Sequence, residues 1–516
     1  MQEHSVKATY NIKQMPFGTN FLSNELVEFN LWAPDKTNIK LCLTNANKTI
    51  EIDMPAKSDG WFSIVTDKAY SDSMYQYKLD DGLKVPDPAS RYQPLDVHGP
   101  SQLINPDKYD WGPDIKWKGR PWNEVILYEL HIGTFTEQGT FKAAEEKLDY
   151  LVDLGITAIE LMPVADFPGK KNWGYDGVLL YAPDSSYGKP DDLKNLIKKA
   201  HQKGLMVFLD VVYNHFGPDG NYLYVYARSK FFNEKFKTPW GDAINFENKS
   251  VRDFFIYNAL YWLEEYRFDG LRFDAVHAIN DDSKPDILQE LSQIVRNSID
   301  SDRHIHLVLE NDNNQSHYLR EKKNFKPRYF NAQWNDDYHH CSHILTTGED
   351  KGYYIDYTPI ATKQDTSYYL ARCLLEGFAY QGEISKYKNN ELRGEKSSDL
   401  NPASFVNFIQ NHDQIGNRAF GDRITKISSI EAIKAAACLY ILAPSIPMLF
   451  MGEEWAASTP FLFFCDFNDD LADAVREGRR NEFAKFPEFS DPEVRKTIPD
   501  PIDIKTFETS KLNWKE

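Results

Sequence analysis

The sequence is poor in cysteine and contains no cluster of basic residues. Its five cysteines are scattered, without a CxxC pair or the spacing of metal ligands, which predicts reduced thiols in the core of a cytoplasmic protein. Acidic residues outnumber basic ones by 77 to 59. A surface that follows nucleic acid phosphates is therefore not expected, and we predict no nucleic acid partner.

Long apolar runs are also scarce. The longest, at 432–451, is interrupted by Pro444 and Pro447, so it predicts a buried helix followed by a buried strand and no membrane partner. The first 18 residues lack the apolar region of a secretory signal.

Residues 1–105 instead contain short alternating runs such as "LVEFNLWAP" and "MYQYKLDDG", separated by Pro, Asn, Asp and Gly turns. This pattern predicts an immunoglobulin-like antiparallel β-sandwich, and its "FNLWAP" resembles a module of the carbohydrate-binding type. The proline-rich passage at 85–107 is expected to be an ordered crossover onto the next domain.

From about residue 120 the pattern changes to alternating strands and helices, which predicts an α/β fold over 106–516. Helical stretches with apolar spacing of three and four lie between the apolar runs. The eight runs are "VILYELHIGTF", "TAIELMPV", "LMVFLDVVYNH", "GLRFDAVH", "IHLVLEND", "RYFNAQWND", "FVNFIQNHD" and "IPMLFMGEE". Eight parallel strands with helical crossovers form a (β/α)8 TIM barrel.

Polar residues follow six of these eight strands. They are Asp210, Asn214 and His215; Arg272, Asp274 and His277; Glu310, Asn311 and Asp312; Asp336 and Asp337; Asn411, His412 and Asp413; and Glu453 and Glu454. Because active sites of such barrels lie where the strands end, we expect these residues to converge on one acidic pocket.

An acidic pocket suits either divalent-metal catalysis or glycoside hydrolysis, and the neighbouring residues favour hydrolysis. Side chains of a strand alternate between faces, so Arg272 and Asp274 point the same way. Arg272 would hold Asp274 ionised, as a nucleophile requires. Glu310 ends an apolar run, where partial burial would retain the proton of a general acid.

Four motifs resemble, in order and spacing, the four short regions of the α-amylase superfamily of retaining α-glucoside enzymes. They are "DVVYNH", "GLRFDAVH", "LVLEND" and "FIQNHD". The resemblance implies that Asp274 is the nucleophile, Glu310 the general acid and base, and Asp413 the third carboxylate, which holds the sugar hydroxyls. Retention predicts carboxyl groups of Asp274 and Glu310 about 5–5.5 Å apart.

The resemblance also implies substrate contacts around this triad, whereas Asp210 and Asn214 would support the site. The implied contacts are Tyr175, as a stacking platform, and His215, Arg272, His277, Asp336, Asp337, His339, His340, His412, Gln414 and Asn417.

Longer segments, among them "ELMPVADFPGKKNWGYDGVLLYAPDSSYG" and "QNHDQIGNRAFGDR", resemble the maltooligosyltrehalose trehalohydrolases over nearly the whole chain. This branch of the superfamily hydrolyses the α-1,4 bond next to the terminal trehalose of a maltooligosyltrehalose, and the expected partner is that substrate or a related α-glucan. No cofactor or metal is expected, calcium included, because 216–250 contains no long acidic loop.

Two other functions stay open at this point. A glycogen branching enzyme shares the four regions and the sandwich but transfers to a sugar hydroxyl. A glucan-binding protein on an inactive barrel would lack the catalytic acids. Relatives continue past Glu516, so we expect the last barrel helix and the carboxy-terminal β-domain to be missing.

Overall fold

A computed structural model describes residues 10–516 except 47, 239–240, 323–325 and 483–490. No secretory signal is expected in the first 18 residues, and residues 1–9 of that segment lie outside the described residues. The strands of the amino-terminal part are β1 Gly18–Phe21, β2 Val27–Trp32, β3 Ile39–Asn45, β4 Lys48–Met54, β5 Trp61–Thr66, β6 Met74–Lys78, β7 Lys84–Val85 and β8 Ser101–Gln102.

The amino-terminal strands form two antiparallel sheets, which confirms the predicted sandwich. One sheet has the order β1-β2-β5, and the other has β4-β3-β6-β7 with β8 on β6. Alternating apolar side chains fill the space between them: Phe29 of β2 lies 5.1 Å from Tyr75 of β6, ring centroid to centroid.

All eight predicted barrel strands are confirmed, and they close into a parallel barrel. They are β9 Leu127–Leu130, β10 Ala158–Leu161, β13 Met206–Val211, β16 Gly270–Phe273, β17 His306–Leu309, β18 Ala332–Trp334, β21 Phe405–Asn407 and β22 Ile446–Phe450. Three two-stranded ribbons interrupt the connections: β11 Ala165–Asp166 with β12 Leu179–Pro183, β14 Phe232–Thr238 with β15 Gly241–Ile244, and β19 Glu383–Ser385 with β20 Glu391–Arg393.

The helices are α1 Ile132–Phe135, α2 Phe141–Glu145, α3 Leu148–Leu154, α4 Pro190–Gln202, α5 Leu223–Tyr226, α6 Arg228–Phe231, α7 Lys249–Glu264, α8 Ile287–Ser298, α9 Asp336–Thr347, α10 Thr366–Glu376, α11 His412–Gly416, α12 Ile424–Ile427, α13 Ile430–Ile441, α14 Asp469–Glu482, α15 Pro492–Arg495 and α16 Ile504–Thr509. They lie in the stretches of predicted apolar spacing at α2, α3, α4, α7, α8, α10 and α13, and the remaining helices, α9 of the sixth connection among them, were not predicted. Helix α9 begins directly after strand β18, where the sequence indicated only a strand end.

The longest apolar run was predicted to form a buried helix followed by a buried strand. The buried strand β22 is confirmed, whereas the prediction that the helix is buried was wrong. In α13 the buried side chains form one stripe that includes Ile433 and Tyr440, whereas Leu439 and Leu442 are exposed. A helix on the outside of a barrel contacts the strands through one face only, so apolar residues elsewhere on it stay open. Among the described residues, no helix is long and apolar enough to cross a membrane.

The sandwich packs on helix α7 of the barrel. Phe17 lies edge-on to Phe254, with ring centroids 5.2 Å apart. The Arg91 guanidinium lies 3.5 Å from the buried Glu265 carboxylate and donates to the carbonyl of Thr19 at 2.6 Å. Both apolar and charged groups therefore connect the sandwich to the barrel.

Candidate active site

Arg272 is the centre of the site. It is fully buried on strand β16, and its Nη1 lies 2.6 Å from Asp210 Oδ2 and 2.9 Å from Asp274 Oδ1. Its guanidinium carbon lies 4.1 Å from the centre of the Trp334 ring. The strand period therefore brings Arg272 and Asp274 together as predicted, and the cation is held on two sides by acids.

Asp274 has a donor at each carboxylate oxygen. Oδ1 faces Arg272, and Oδ2 accepts from Asn214 Nδ2 at 2.9 Å. Asn214 also donates to the backbone carbonyl of Asp274 at 2.8 Å. With Asp210 bound to Arg272, both residues predicted to support the site do contact its charged groups, and they fix the carboxylate in one orientation.

Glu310 follows strand β17, and its carboxyl group lies beside the residue after Asp274. Its Oε2 accepts from the backbone N–H of Ala275 at 2.6 Å and lies 3.8 Å from Arg272 Nη2. Burial raises the pKa of Glu310 to about 8, and the nearby carboxylates of Asp274 and Asp413 add to the rise although Arg272 opposes it. Glu310 therefore carries a proton at neutral pH, as a general acid must.

Asp413 lies in the first turn of α11 and is the most open of the three acids, with 45% of its side chain exposed. Asn417, one helical turn later, donates to its Oδ1 at 3.3 Å. Asp336 starts helix α9 nearby, and its pKa is raised well above the usual value by burial and by the carboxylates around it, Glu310 first. The site thus combines an open acid with buried acids whose pKa is raised.

Aromatic rings form the wall beside the triad. Tyr175 stacks on His412 at 5.1 Å between centroids and donates to Asp210 Oδ2 at 2.7 Å. Trp173 meets His412 edge-on at 5.5 Å. His215 lies beneath them, with Nε2 2.9 Å from the carbonyl of Tyr175, and burial lowers its pKa to about 4. The wall is therefore rigid and polar at its edges.

A cleft of about 250 Å³ opens next to these groups. Seven predicted site residues line it: His277, Glu310, Asp336, His340, Asp413, Gln414 and Asn417. The cleft is also lined by the side chains of Asp312, Tyr353, Asp356, Tyr357, Ser385, Tyr387, Lys388 and Arg393. Strand ends and the long sixth connection thus share one cavity.

Six predicted substrate contacts do not line the cleft: Tyr175, His215, Arg272 and His412, which belong to the groups beside it described above, and Asp337 and His339. Asp337 is fully buried and accepts from the backbone N–H groups of Ala379 and Tyr380 at 2.8 and 3.0 Å. His339 is buried too, with Nδ1 2.8 Å from the carbonyl of Ile409. Because α9 starts at Asp336, successive side chains turn by about 100°, so only part of this motif faces the site.

The two acids after the eighth strand also point elsewhere. Glu453 accepts from the hydroxyl of Tyr440 at 2.9 Å, and Glu454 accepts from that of Tyr128 at 2.9 Å. Of the six strand ends that were expected to converge on the pocket, five do so, and the end of the eighth strand does not.

Sequence reasoning missed a charged group at the far end of the cleft. Arg393 of β20 lies 3.1 Å from Asp312 Oδ1 and 2.9 Å from Asp337 Oδ1, both measured from Nη2. Lys388 lies 2.7 Å from Asp312 Oδ2. Both basic residues come from the ribbon β19–β20, which has no motif of its own, so their only signal was the unusual length of the sixth connection.

Two acids inside the barrel were also missed, Glu129 of β9 and Glu160 of β10. Both are almost fully buried, and burial raises the pKa of Glu160 well above the usual value. Each is a charged residue in an apolar strand, "LYEL" and "AIEL", which is the signal that singled out Arg272. In the part of the chain that is described, no group of three His, Cys, Asp or Glu side chains has the arrangement of a metal site.

Two known protein families match this chain, one in the barrel and one in the sandwich. The alpha amylase catalytic domain matches residues 118–240 and 224–472, and carbohydrate-binding module 48, the isoamylase N-terminal domain, matches 16–88. A crystal structure from Salmonella typhimurium is 47% identical, with a TM-score of 0.91 over 97% of this chain and 82% of that one. Pullulanase structures at 19–20% identity share the fold.

Named relatives cover most of the chain. The malto-oligosyltrehalose trehalohydrolase of Saccharolobus solfataricus is 43% identical over 97% of this chain and 84% of its own. That of Deinococcus radiodurans is 43% identical over 84% of this chain and 69% of its own. A branching enzyme of Aliivibrio fischeri is 36% identical, but over only 39% of this chain and 31% of its own.

Proposed function

Because this chain belongs to the α-amylase family and, within it, to the malto-oligosyltrehalose trehalohydrolases, it is a glycoside hydrolase, and we propose that its substrate is a maltooligosaccharide ending in α,α-trehalose. Hydrolysis of the α-1,4 bond next to that unit would release trehalose and a shorter maltooligosaccharide. The names of the relatives support this choice over branching, since the similarity to a branching enzyme covers only 39% of the chain.

We infer that Asp274 and Glu310 carry out a double displacement. The Asp274 carboxylate attacks the anomeric carbon of the glucosyl unit next to trehalose, while Glu310 gives its proton to the glycosidic oxygen and that bond breaks. Trehalose leaves with the proton. Glu310, now a carboxylate, then takes a proton from water, and the water oxygen displaces Asp274 from the anomeric carbon. Two displacements retain the anomeric configuration.

One observation carries this assignment: the two acids lie beside different terminal nitrogens of one buried cation, in different environments. Asp274 contacts Arg272 at 2.9 Å, which favours a carboxylate. Glu310 lies farther from Arg272, at 3.8 Å, and its raised pKa keeps the proton. Acids with such separated roles suit a nucleophile and a general acid.

We further propose that Asp413 holds hydroxyl groups of the glucosyl unit, and that Tyr175 and His412 form the wall against which it lies. The open carboxylate of Asp413 and the stacked pair of rings support this. Contacts from His277, His340, Gln414 and the other cleft-lining residues would recognise the sugars, since a buried polar group left unpaired by a wrong sugar costs affinity. The reduced thiols expected from the sequence support a cytoplasmic location.

The test is product analysis with maltotriosyltrehalose and, separately, amylose. We expect free trehalose from the first substrate, and little new reducing sugar and no branch points from the second. Branched product without trehalose would favour a branching enzyme. With the Asp274→Asn variant as control, any trehalose still released at the original rate would contradict the assigned nucleophile.

A further inference from the structure

We propose that Glu129 is a positioning residue that holds His412 as an imidazolium, so that His412 Nε2 is a hydrogen-bond donor beside Asp413. The comparisons and the four motifs assign no role to Glu129, which lies on the first barrel strand, β9. It would act on the substrate through His412 and would not touch the sugar itself.

The geometry holds His412 at two points. Its ring Nδ1 lies 2.5 Å from Glu129 Oε1, and its backbone N–H donates to Glu129 Oε2 at 3.2 Å. Both residues are almost fully buried. One carboxylate therefore fixes the start of helix α11 and the ring orientation together, and it commits Nδ1 to being a donor.

The other ring nitrogen lies beside the third acid of the triad. His412 Nε2 lies 3.6 Å from Asp413 Oδ1, and the ring stacks on Tyr175. With Nδ1–H bound to Glu129, a neutral imidazole would present a lone pair at Nε2 to the Asp413 carboxylate, which is repulsive. An imidazolium presents an N–H there and can donate to a sugar hydroxyl that Asp413 also binds.

The surrounding charges set which form prevails. The titratable or charged groups that face or electrostatically influence His412 are Glu129 on β9, Asp413 on α11, Arg272 on β16, Glu160 on β10, Tyr175 and His131. Burial by itself lowers the pKa of His412, but Glu129 and then Asp413 outweigh burial and Arg272 and raise it to about 9. Without the Glu129 carboxylate, burial and Arg272 would favour the neutral ring.

The kinetic test rests on the proposed function and compares pH profiles of kcat/KM for trehalose release. The pKa of Glu310, about 8, lies below that of His412, about 9, so Glu310 sets the alkaline limb of the unaltered protein. In Glu129→Gln, which keeps the side-chain shape, His412 would lose its proton before Glu310, and we expect the alkaline limb to move down by about one pH unit or more. At pH 8 the activity should fall about tenfold, since a pH shift of one unit corresponds to a factor of ten. Glu129→Asp, which keeps the carboxylate, should retain the original limb at a reduced kcat.

Glu160→Gln is the matched control, because Glu160 is a buried acid of the neighbouring strand whose pKa burial raises well above the usual value. Its alkaline limb should stay where that of the unaltered protein lies. A Glu129→Gln protein whose activity falls equally at every pH, with an unmoved limb, would overturn the proposal, since loss of packing alone gives that result.

A second measurement needs no substrate and no stable Glu129 variant. The protein would be labelled with ¹⁵N-histidine, and the His412 signals identified by their loss in His412→Asn. We expect a doubly protonated imidazolium at pH 7.5, and a neutral ring there would refute the proposal. Since this spectrum does not depend on which glucan is cleaved, it separates failure of the Glu129 proposal from failure of the proposed function.

Discussion

At the scale of single residues, the protonation of Glu310 controls the first bond cleavage. Because the pKa of Glu310 is raised to about 8, kcat/KM should fall as pH rises through about 8 and the acid loses its proton. Glu310→Gln should lower kcat by about 10²–10⁴-fold with a natural substrate. The measurement is a pH profile of trehalose release, together with turnover of an aryl α-glucoside whose leaving group needs no proton.

Asp274→Asn provides the contrast in that experiment. With the aryl glucoside, Glu310→Gln should still form the glucosyl intermediate and regain activity with added azide, whereas Asp274→Asn should be inactive with both substrates. Equal losses for the two variants on the activated substrate would contradict the assignment of one acid and one nucleophile.

The triad and its cation could be predicted because they depend on local chain geometry. Arg272 and Asp274 are two residues apart on a strand, so their shared face follows from the period of two. Asp337 and His339 belong to a motif that begins a helix, and the helix start decides which of them turns inward. The partner of His412, Glu129, is 283 residues away, and no pattern in one sequence pairs such positions.

At the scale of elements, the ribbon β19–β20 closes one end of the cleft through Arg393. This buried guanidinium donates to the Tyr357 hydroxyl at 2.6 Å and to the Asp312 carbonyl at 2.8 Å, besides its two carboxylates. Arg393→Ala would leave Asp337 buried without its cation, which costs about 3–5 kcal/mol of the unfolding free energy. Chemical denaturation should show this loss, and kcat/KM should fall with it.

Lys118→Ala is a suitable control for Arg393→Ala. Lys118 and its partner Asp300 have side chains that are 45% and 59% exposed, and such surface pairs contribute about 0–1 kcal/mol. If both variants lost the same stability, the ribbon would not be anchored by Arg393.

The ribbon itself was not predicted, because its strands have three residues each and no alternating apolar pattern, while the eight barrel strands are bounded by helices of clear periodicity.

At the scale of the whole molecule, the sandwich packs against the barrel at helix α7 and at α6, where the ring centroid of Trp32 lies 6.3 Å from that of Phe231, so we expect the two parts to unfold together. Phe17→Ala removes a buried ring that contacts Phe254 across this interface, at a cost of about 3–5 kcal/mol. Scanning calorimetry should show a single transition for the unaltered protein, shifted as a whole to lower temperature in the variant. Leu95→Ala, which changes an exposed side chain, should shift it little, since surface substitutions stay within about 0.5 kcal/mol.

Two separate transitions, of which Phe17→Ala moves only the lower, would mean that the sandwich folds independently and is merely attached to the barrel. A joint transition would instead mean that carbohydrate-binding module and catalytic barrel stabilise each other through the Phe17 and Arg91 contacts. In that case a substitution in the sandwich would lower trehalose release at elevated temperature without altering the triad. Activity measured at 25 °C, far below the transition, should then be the same for Phe17→Ala as for the unaltered protein.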